Sequence, residues 1–330
     1  MKLIPRVYYL YRRAWKRLAI FSAIAGPGII VMVADNDAGG ITTYAVSGSR
    51  YEFNLVWLIM VFCVLAFFVQ EMTVRLGAVT KRGLAEAIFD GFGPVWGWFA
   101  LIDLTLANFL TLITEFIGMV AAGNIFGIPP TLTVFAVVVF LMLLVGTGTY
   151  WSFERITLVF CLLNLVYIPA AILAKPDWGM VARSIVAPSF QGGLTIALLT
   201  LVMANIGTTI APWMIFFQQS AVVDKELDEK DISYSRIDTA LGTVMTGLGA
   251  AFIMIATGST LHRIGLDITH ASEAALALVP LAGRHAGALF AIGLFSAGLL
   301  GAICVSLASS WAFGEVFGWA HSLNVNVKSA

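Results

Sequence analysis

The sequence predicts an all-α polytopic membrane protein of about eight transmembrane helices. Three observations predict it. Of 330 residues, 59% are hydrophobic and only 12% charged, where soluble domains carry about 25% charged residues. Mean hydropathy is +0.91. Apolar runs of the ~20 residues that cross a bilayer recur along the chain.

The spans fall at roughly 19–47, 54–76, 95–122, 131–148, 155–174, 193–221, 234–260 and 286–313. Six basic residues precede the first run, as in a signal peptide, and Ala23-Ile24-Ala25 could pass for its cleavage site. The apolar character resumes beyond that point, so the run is read as a retained first span. Residues 1–18 then form a cytoplasmic N-terminal segment, 19–313 a single transmembrane domain and 314–330 a C-terminal tail. Leu84 to Phe92 is a short amphipathic piece for the interface after span 2. Pro129-Pro130 opens span 4, and Lys175-Pro176-Asp177-Trp178 closes span 5. The charged linker from Asp224 to Asp231 reads as a solvated loop. Trp57, Trp96, Trp98 and Trp178 lie near span ends, where interfacial aromatics collect.

Lys and Arg set the orientation. With the N-terminus in the cytoplasm, the inner side holds 14 of the 19 basic residues and the outer side 5. A multi-pass protein of the cell membrane with both ends inside follows. Net charge is zero, which gives no reason to expect a nucleic-acid partner. Cys63, Cys161 and Cys304 each sit in an apolar run without a ligand-spaced Cys or His, and read as packing residues.

Two spans are interrupted. Span 1 reads Gly26-Pro27-Gly28, then eight residues, then Asp37-Ala38-Gly39-Gly40, with Asp35 and Asn36 just before. A charge at the bilayer centre costs at least ~2.5 kcal/mol and calls for a partner or a wet cavity. Each Gly costs a helix about 1 kcal/mol against Ala. An unwound stretch follows, whose freed carbonyls need ligand, water or protein. Span 6 carries Gly207-Thr208-Thr209-Ile210-Ala211-Pro212-Trp213. Pro212 has no N–H, which frees the carbonyl one turn earlier, at Thr208. Interruptions at matching places in two halves point to a midplane site at a repeat interface. The plan is that of a LeuT-like inverted-repeat fold. The first repeat covers about 19–174. The second, about 193–313, reads as incomplete, because the chain stops after its third span.

At these residues the sequence resembles the NRAMP family of divalent metal transporters. The family's helix-1 spacing from Gly-Pro-Gly to Asp-Pro-Gly-Asn stands here as Gly26-Pro27-Gly28 to Asp37-Ala38-Gly39-Gly40. Its helix-6 pattern Ala-Thr-Val-Met-Pro-His stands as Thr208-Thr209-Ile210-Ala211-Pro212-Trp213. Weaker likeness runs through Glu115-Phe116-Ile117-Gly118, Phe153-Glu154-Arg155, Arg236-Ile237-Asp238-Thr239 and Gly293-Leu294-Phe295-Ser296-Ala297-Gly298. The resemblance implies a metal held by Asp37 and the Thr208 backbone carbonyl. Gly40 replaces the family's Asn ligand and Ala211 its Met ligand. Trp213 and Gln218 stand where two His fall, and Leu112 where a helix-3 Asp falls, while Glu115 is kept.

Those departures change the expected chemistry. A thioether favours soft transition metals, and Ala211 removes it. Gly40 removes an amide oxygen and opens space. A roomy, oxygen-only site suits Mg²⁺, which keeps several waters and binds through one or two carboxylates. The pattern is similar to the NRAMP-related magnesium transporters, a branch in which these positions are changed in this way. Asp35, two residues before Asp37, does not share a face with it. Direct shared ligation is disfavoured, and lowering the potential of the cation path is the expected role. Thr209, Pro212, Trp213 and Gln218 are placed along the cavity or path. Trp213 reads equally as cavity wall or packing, and Glu115 as relay or structural carboxyl. His262, His270, His285 and His321 all fall in loops or near span ends, so weak or absent proton coupling is expected.

The reading is a divalent metal carrier, Mg²⁺ first and Mn²⁺ second, with the metal as substrate and no cofactor. The alternatives are a proton-coupled Mn²⁺/Fe²⁺ carrier, a carrier of organic solutes, and a truncated non-transporting fragment. An acidic Asp37 argues against an anionic solute. An enzyme is not expected, since the sequence has no His-Glu-x-x-His, Gly-x-Ser-x-Gly or phosphate loop. The expected partners are the metal ion and the lipid bilayer, with self-association or further C-terminal helices covering any apolar face left open.

Overall fold

A computed structural model describes residues 23–147, 150–190 and 193–324. The segment assigned to the cytoplasm, 1–18, lies outside the described residues. All regular elements among the described residues are helical.

Span 1 is two helices, α1 (Pro27–Ala34) and α2 (Ala38–Tyr51), with Asp35, Asn36 and Asp37 between them. The next elements are α3 (Val56–Thr80), α4 (Leu84–Phe92), α5 (Pro94–Ile125) and α6 (Pro130–Thr147). Span 5 is α7 (Tyr150–Leu163) running through a 3₁₀ turn into α8 (Tyr167–Leu173). A loop helix α9 (Trp178–Val186) follows. Span 6 is split into α10 (Ile196–Thr209) and α11 (Pro212–Asp224). The last elements are α12 (Ile232–Thr260), α13 (Ala271–Ala282) and α14 (Arg284–Phe317).

Six of these, with α7–α8 and α10–α11 each counted as one, are long and apolar enough to cross a membrane. The eight predicted segments differ from this count for two reasons. The first span is cut into pieces of 8 and 14 residues, and the fourth has a short apolar stretch, Pro130–Leu144. The amphipathic helix over Leu84 to Phe92 forms with those bounds. Helix α13 was not predicted; its 12 residues are too few for a span and include Pro280.

Proline and glycine set the boundaries. Pro27, Pro94 and Pro212 each occupy the first turn of a helix, where the missing N–H costs nothing. Gly93 and Gly283, at φ 83° and 92°, take the left-handed backbone that joins α4 to α5 and α13 to α14. Asp177 accepts the N–H groups of Gly179 and Met180 to start α9.

Helices α12 and α14 form the buried spine, while α5 turns most of its surface outward. Phe68, Phe99 and Phe135 are 58–67% exposed. Such aromatics suit a hydrocarbon solvent, where only closed hydrogen-bonded helices are stable. Helix α12 lies along α1. At Gly28 a Cβ would stand 2.6 Å from the Thr239 nitrogen, and at Gly242 one would stand 2.7 Å from the Gly28 carbonyl. Two small residues thus let these backbones meet, as small-residue membrane helix contacts do.

Candidate metal site between the broken helices

The break in span 1 is held open by its own polar groups. Asp37 is extended (φ −73°, ψ 179°) and caps α2, its Oδ1 accepting the Gly40 N–H at 2.6 Å. Short polar side chains cap helix N-termini in this way. The last turn of α1 tightens, with the Asn36 N–H reaching the Val33 carbonyl at 3.1 Å. That leaves the Met32 carbonyl for the Thr246 hydroxyl of α12. Asn36 Nδ2 in turn donates to the Thr246 carbonyl at 3.1 Å. The freed backbone is thus served by a helix more than 200 residues away.

The break in span 6 is shorter. Helix α10 ends at Thr209, Ile210 and Ala211 are non-helical, and α11 starts at Pro212. Ala211 is extended (φ −81°, ψ 144°) and gives no side-chain cap. Pro212 leaves the Thr208 carbonyl without its helical donor. The Thr209 hydroxyl donates to the Asn205 carbonyl at 2.8 Å and lies 3.3 Å from the Tyr44 hydroxyl of α2.

The two breaks meet at Gly40. A Cβ there would stand 2.8 Å from the Asp35 carbonyl oxygen, 2.9 Å from Thr208 Oγ1 and 3.3 Å from Asp37 Oδ1. Three oxygens therefore converge on a space that any larger residue would fill. Glu115 of α5 closes another side. It is fully buried, and its Oε2 accepts the Ala38 N–H at 3.1 Å. Its carboxyl stands beside that of Asp37. Helix α14 backs this pair, since a Cβ at Gly301 would stand 2.8 Å from Glu115 Oε2 and 3.0 Å from Asp37 Cβ. None of Asp35, Asp37 and Glu115 enters an ion pair among the described residues.

Trp213 is 2% exposed, set edge-on to Phe217 at 6.3 Å, in the apolar cluster that includes Trp311. Gln218 is fully buried, and neither amide atom has a hydrogen-bond partner. Asp35 is enclosed at 1% exposure. Pro212 and Gly207 are exposed, and Thr208 and Ala211 half-buried. His262 bonds the Ser49 carbonyl and His321 the Trp319 carbonyl, both far along the chain from the breaks. Asp238 accepts the backbone N–H groups of Gly26 and Gly28 at the start of α1.

Sequence reasoning missed Asn36, Thr246 and the role of Asp238. Only the Arg236-Ile237-Asp238-Thr239 likeness pointed toward the last.

Comparison with known proteins agrees with this arrangement. A "Divalent metal cation transporter MntH" from Chromohalobacter salexigens is 26% identical over 320 residues, covering 90% of this chain and 70% of that protein. One of the same description from Deinococcus radiodurans is 28% identical over 287 residues, covering 83% and 64%. The crystal structure of the Eremococcus coleocola manganese transporter, in complex with an aromatic bis-isothiourea substituted compound, superposes with a TM-score of 0.74 at 24% identity. It covers 94% of this chain and 68% of that one. A mutant of the same transporter superposes with a TM-score of 0.76. The fold is thereby the LeuT-like, NRAMP-type helical arrangement. The model of the natural resistance-associated macrophage protein-like family matches residues 28–329, and the chain belongs to that family.

Proposed function

We propose that the chain carries divalent metal cations across a membrane, and that its substrate is Mg²⁺, held partly hydrated between the broken helices. Members of its family are transporters, not enzymes, and the relatives above are named for divalent metal cations. The observation that carries the finer reading is the space at Gly40, ringed by Asp35 O, Thr208 Oγ1 and Asp37 Oδ1. The Glu115 carboxyl lies beside that of Asp37. Every donor is a hard oxygen, and Ala211 offers no sulfur. Asp37 and Glu115 have no basic partner among the described residues, and a cation beside them favours their charged forms. Among the described residues no three His, Cys, Asp or Glu side chains form a cage.

Asp37 is assigned as the principal side-chain ligand, the Thr208 carbonyl as a backbone ligand, and Gly40 and Ala211 as the positions that widen the site. Thr209, Pro212 and Trp213 shape its α10–α11 wall. The N-terminus is placed in the cytoplasm. Arg75, Lys81, Arg236 and Lys225, all on the predicted inner side, are joined at one end of the bundle by Glu71, Asp228 and Glu154. Arg50 pairs with Asp267 at the other end.

A second reading is a Mn²⁺ carrier linked to protons, favoured by the adjoining Asp37 and Glu115 carboxyls, which could pass a proton between them. Flux into proteoliposomes decides. Mg²⁺ and Mn²⁺ uptake is measured with wild type and Asp37→Ala, alongside internal pH. The first reading expects Mg²⁺ uptake, Mn²⁺ uptake suppressed by millimolar Mg²⁺, no acidification and loss of flux in Asp37→Ala. Mn²⁺ uptake indifferent to Mg²⁺ and accompanied by acidification establishes the second. Equal flux in both proteins removes the site.

A further inference from the structure

We infer that Asp35 is a second acidic partner of the transported cation, accepting hydrogen bonds from the waters the ion keeps, and so selects for a strongly hydrated ion. The inference rests on the cation site proposed above.

Six acidic side chains are buried among the described residues: Asp35, Asp37, Glu71, Glu115, Glu154 and Asp238. Five have donors. Asp37 takes the Gly40 N–H, Glu115 the Ala38 N–H, Glu71 two arginines, Glu154 Lys225, and Asp238 backbone N–H groups of α1. Asp35 has none: both carboxyl oxygens are shut from solvent without a partner. The Oδ1 of the adjoining Asn36 is also unpartnered. A buried carboxylate without donor or countercharge is strongly disfavoured. Acceptors with no donor are what the hydration shell of a cation satisfies, because it brings both positive charge and O–H groups.

Position supports the same ligand. The Asp35 carbonyl is one of the three oxygens around the Gly40 space. Its carboxyl interacts electrostatically with Asp37, Tyr44 and Cys63, and Tyr44 reaches Thr209 at the other break. Asp35 thus belongs to the α2–α3 side of the site. At 1% exposure it does not line an open approach.

Backbone geometry argues for contact through water. Asp35 ends α1 in the helical region (φ −63°, ψ −27°), whereas Asp37 is extended. Residues i and i+2 do not share a helix face, which disfavours direct ligation of one bare ion by both side chains. A bridging water relaxes that demand. With a metal–oxygen distance of ~2.1 Å and an O–H···O distance of ~2.7 Å, meeting at the bent angle of a bound water, an acceptor can stand a little over ~4 Å away. An ion that sheds water readily gains less from such an acceptor.

The test compares wild type, Asp35→Asn and Asp37→Ala, each as the full chain in proteoliposomes, with uptake measured over a range of Mg²⁺ and of Mn²⁺. Replacing an outer-shell partner costs about 10–100-fold in metal affinity. Asp35→Asn is expected to raise the half-saturating Mg²⁺ about tenfold or more, leave the maximal rate within about threefold, and shift Mn²⁺ by less than Mg²⁺. Unchanged saturation by both metals overturns the inference, as does an equal shift for both, while an inactive Asp37→Ala leaves the site itself standing. Equal uptake by wild type and Asp37→Ala overturns both. Should Asp35→Asn fail to purify as a single species, Asp35→Glu decides. A retained carboxylate is expected to keep Mg²⁺ saturation within about threefold, and a loss as large as that predicted for Asn overturns the inference.

Discussion

The carboxylate of Asp238, on α12, accepts the backbone N–H groups of Gly26 at 3.0 Å and Gly28 at 2.7 Å. A third, from Ile29, lies at 3.4 Å. The first turn of a helix leaves such N–H groups without intrahelical partners, and a negative charge there also meets the positive end of the helix dipole. The start of α1 is thus capped by a residue 212 positions away in sequence. Asp238→Asn keeps the shape but replaces one acceptor by a donor facing N–H groups. A loss of about 1–3 kcal/mol is expected, read as a lower unfolding midpoint in detergent. An unchanged midpoint would show that the cap contributes nothing.

Close backbone contact beside that cap gives a second prediction. A Cβ at Gly28 or Gly242 would press on backbone atoms at 2.6–2.8 Å, while one at Gly207 meets nothing within 4 Å. Gly28→Ala and Gly242→Ala are each expected to destabilise by about 1–3 kcal/mol through overpacking. Gly207→Ala is expected to be neutral or slightly stabilising by helix propensity. Thermal melts of the three variants check the order.

Lys225 forms a buried pair with Glu154 and donates to the Ala25 carbonyl at 2.8 Å. Removing one member of a buried pair leaves an uncompensated charge, at a cost of about 3–5 kcal/mol. Lys225→Met and Glu154→Gln are each expected to be severely destabilised, and the double variant to recover part of the loss. A double-variant cycle with strictly additive losses would deny the coupling.

Filling the space at Gly40 is the local test of the candidate site. In Gly40→Ala the methyl group would crowd Asp35 O and Thr208 Oγ1. Mg²⁺ uptake is expected to fall by about tenfold or more, the scale for disturbing a metal's supporting shell, together with a loss of about 1–3 kcal/mol in stability from the clash with the Asp35 backbone, as at Gly28 and Gly242. Normal uptake would place the ion elsewhere.

At the end of the bundle that carries Glu71, Lys230 and Lys81 beside Asp228 hold its carboxyl down to about 2. Because the folded value is depressed, the contribution is complete above the ordinary carboxylate value of about 3.9. It is lost as pH falls toward 2. A spin label on Glu229 is expected to show the same mobility at pH 7 and pH 4.5, and more motion only below about pH 4.

What was legible in the sequence was local. Gly26-Pro27-Gly28, Asp37-Ala38-Gly39-Gly40 and Ile210-Ala211-Pro212 locate both breaks, because Pro removes a helical donor and Gly weakens a helix wherever they stand. The helix over Leu84 to Phe92 was legible from its amphipathic pattern, which is also a property of consecutive residues. The short α13 was not, since it is too brief for a span and gains its support by packing on α14.

A bundle of apolar helices with two polar interruptions follows from the order of residues alone, because span length and helix continuity depend on consecutive residues. Which groups satisfy the interrupted backbone is settled only when the helices pack. Asp238 and Thr246 serve α1 from α12, Glu115 serves α2 from α5, and Thr208 meets Gly40 across the two breaks. The same packing leaves Asp35, alone of the buried acids among the described residues, without a donor. A freed N–H or carbonyl must find a partner, but sequence spacing does not specify one two hundred residues away.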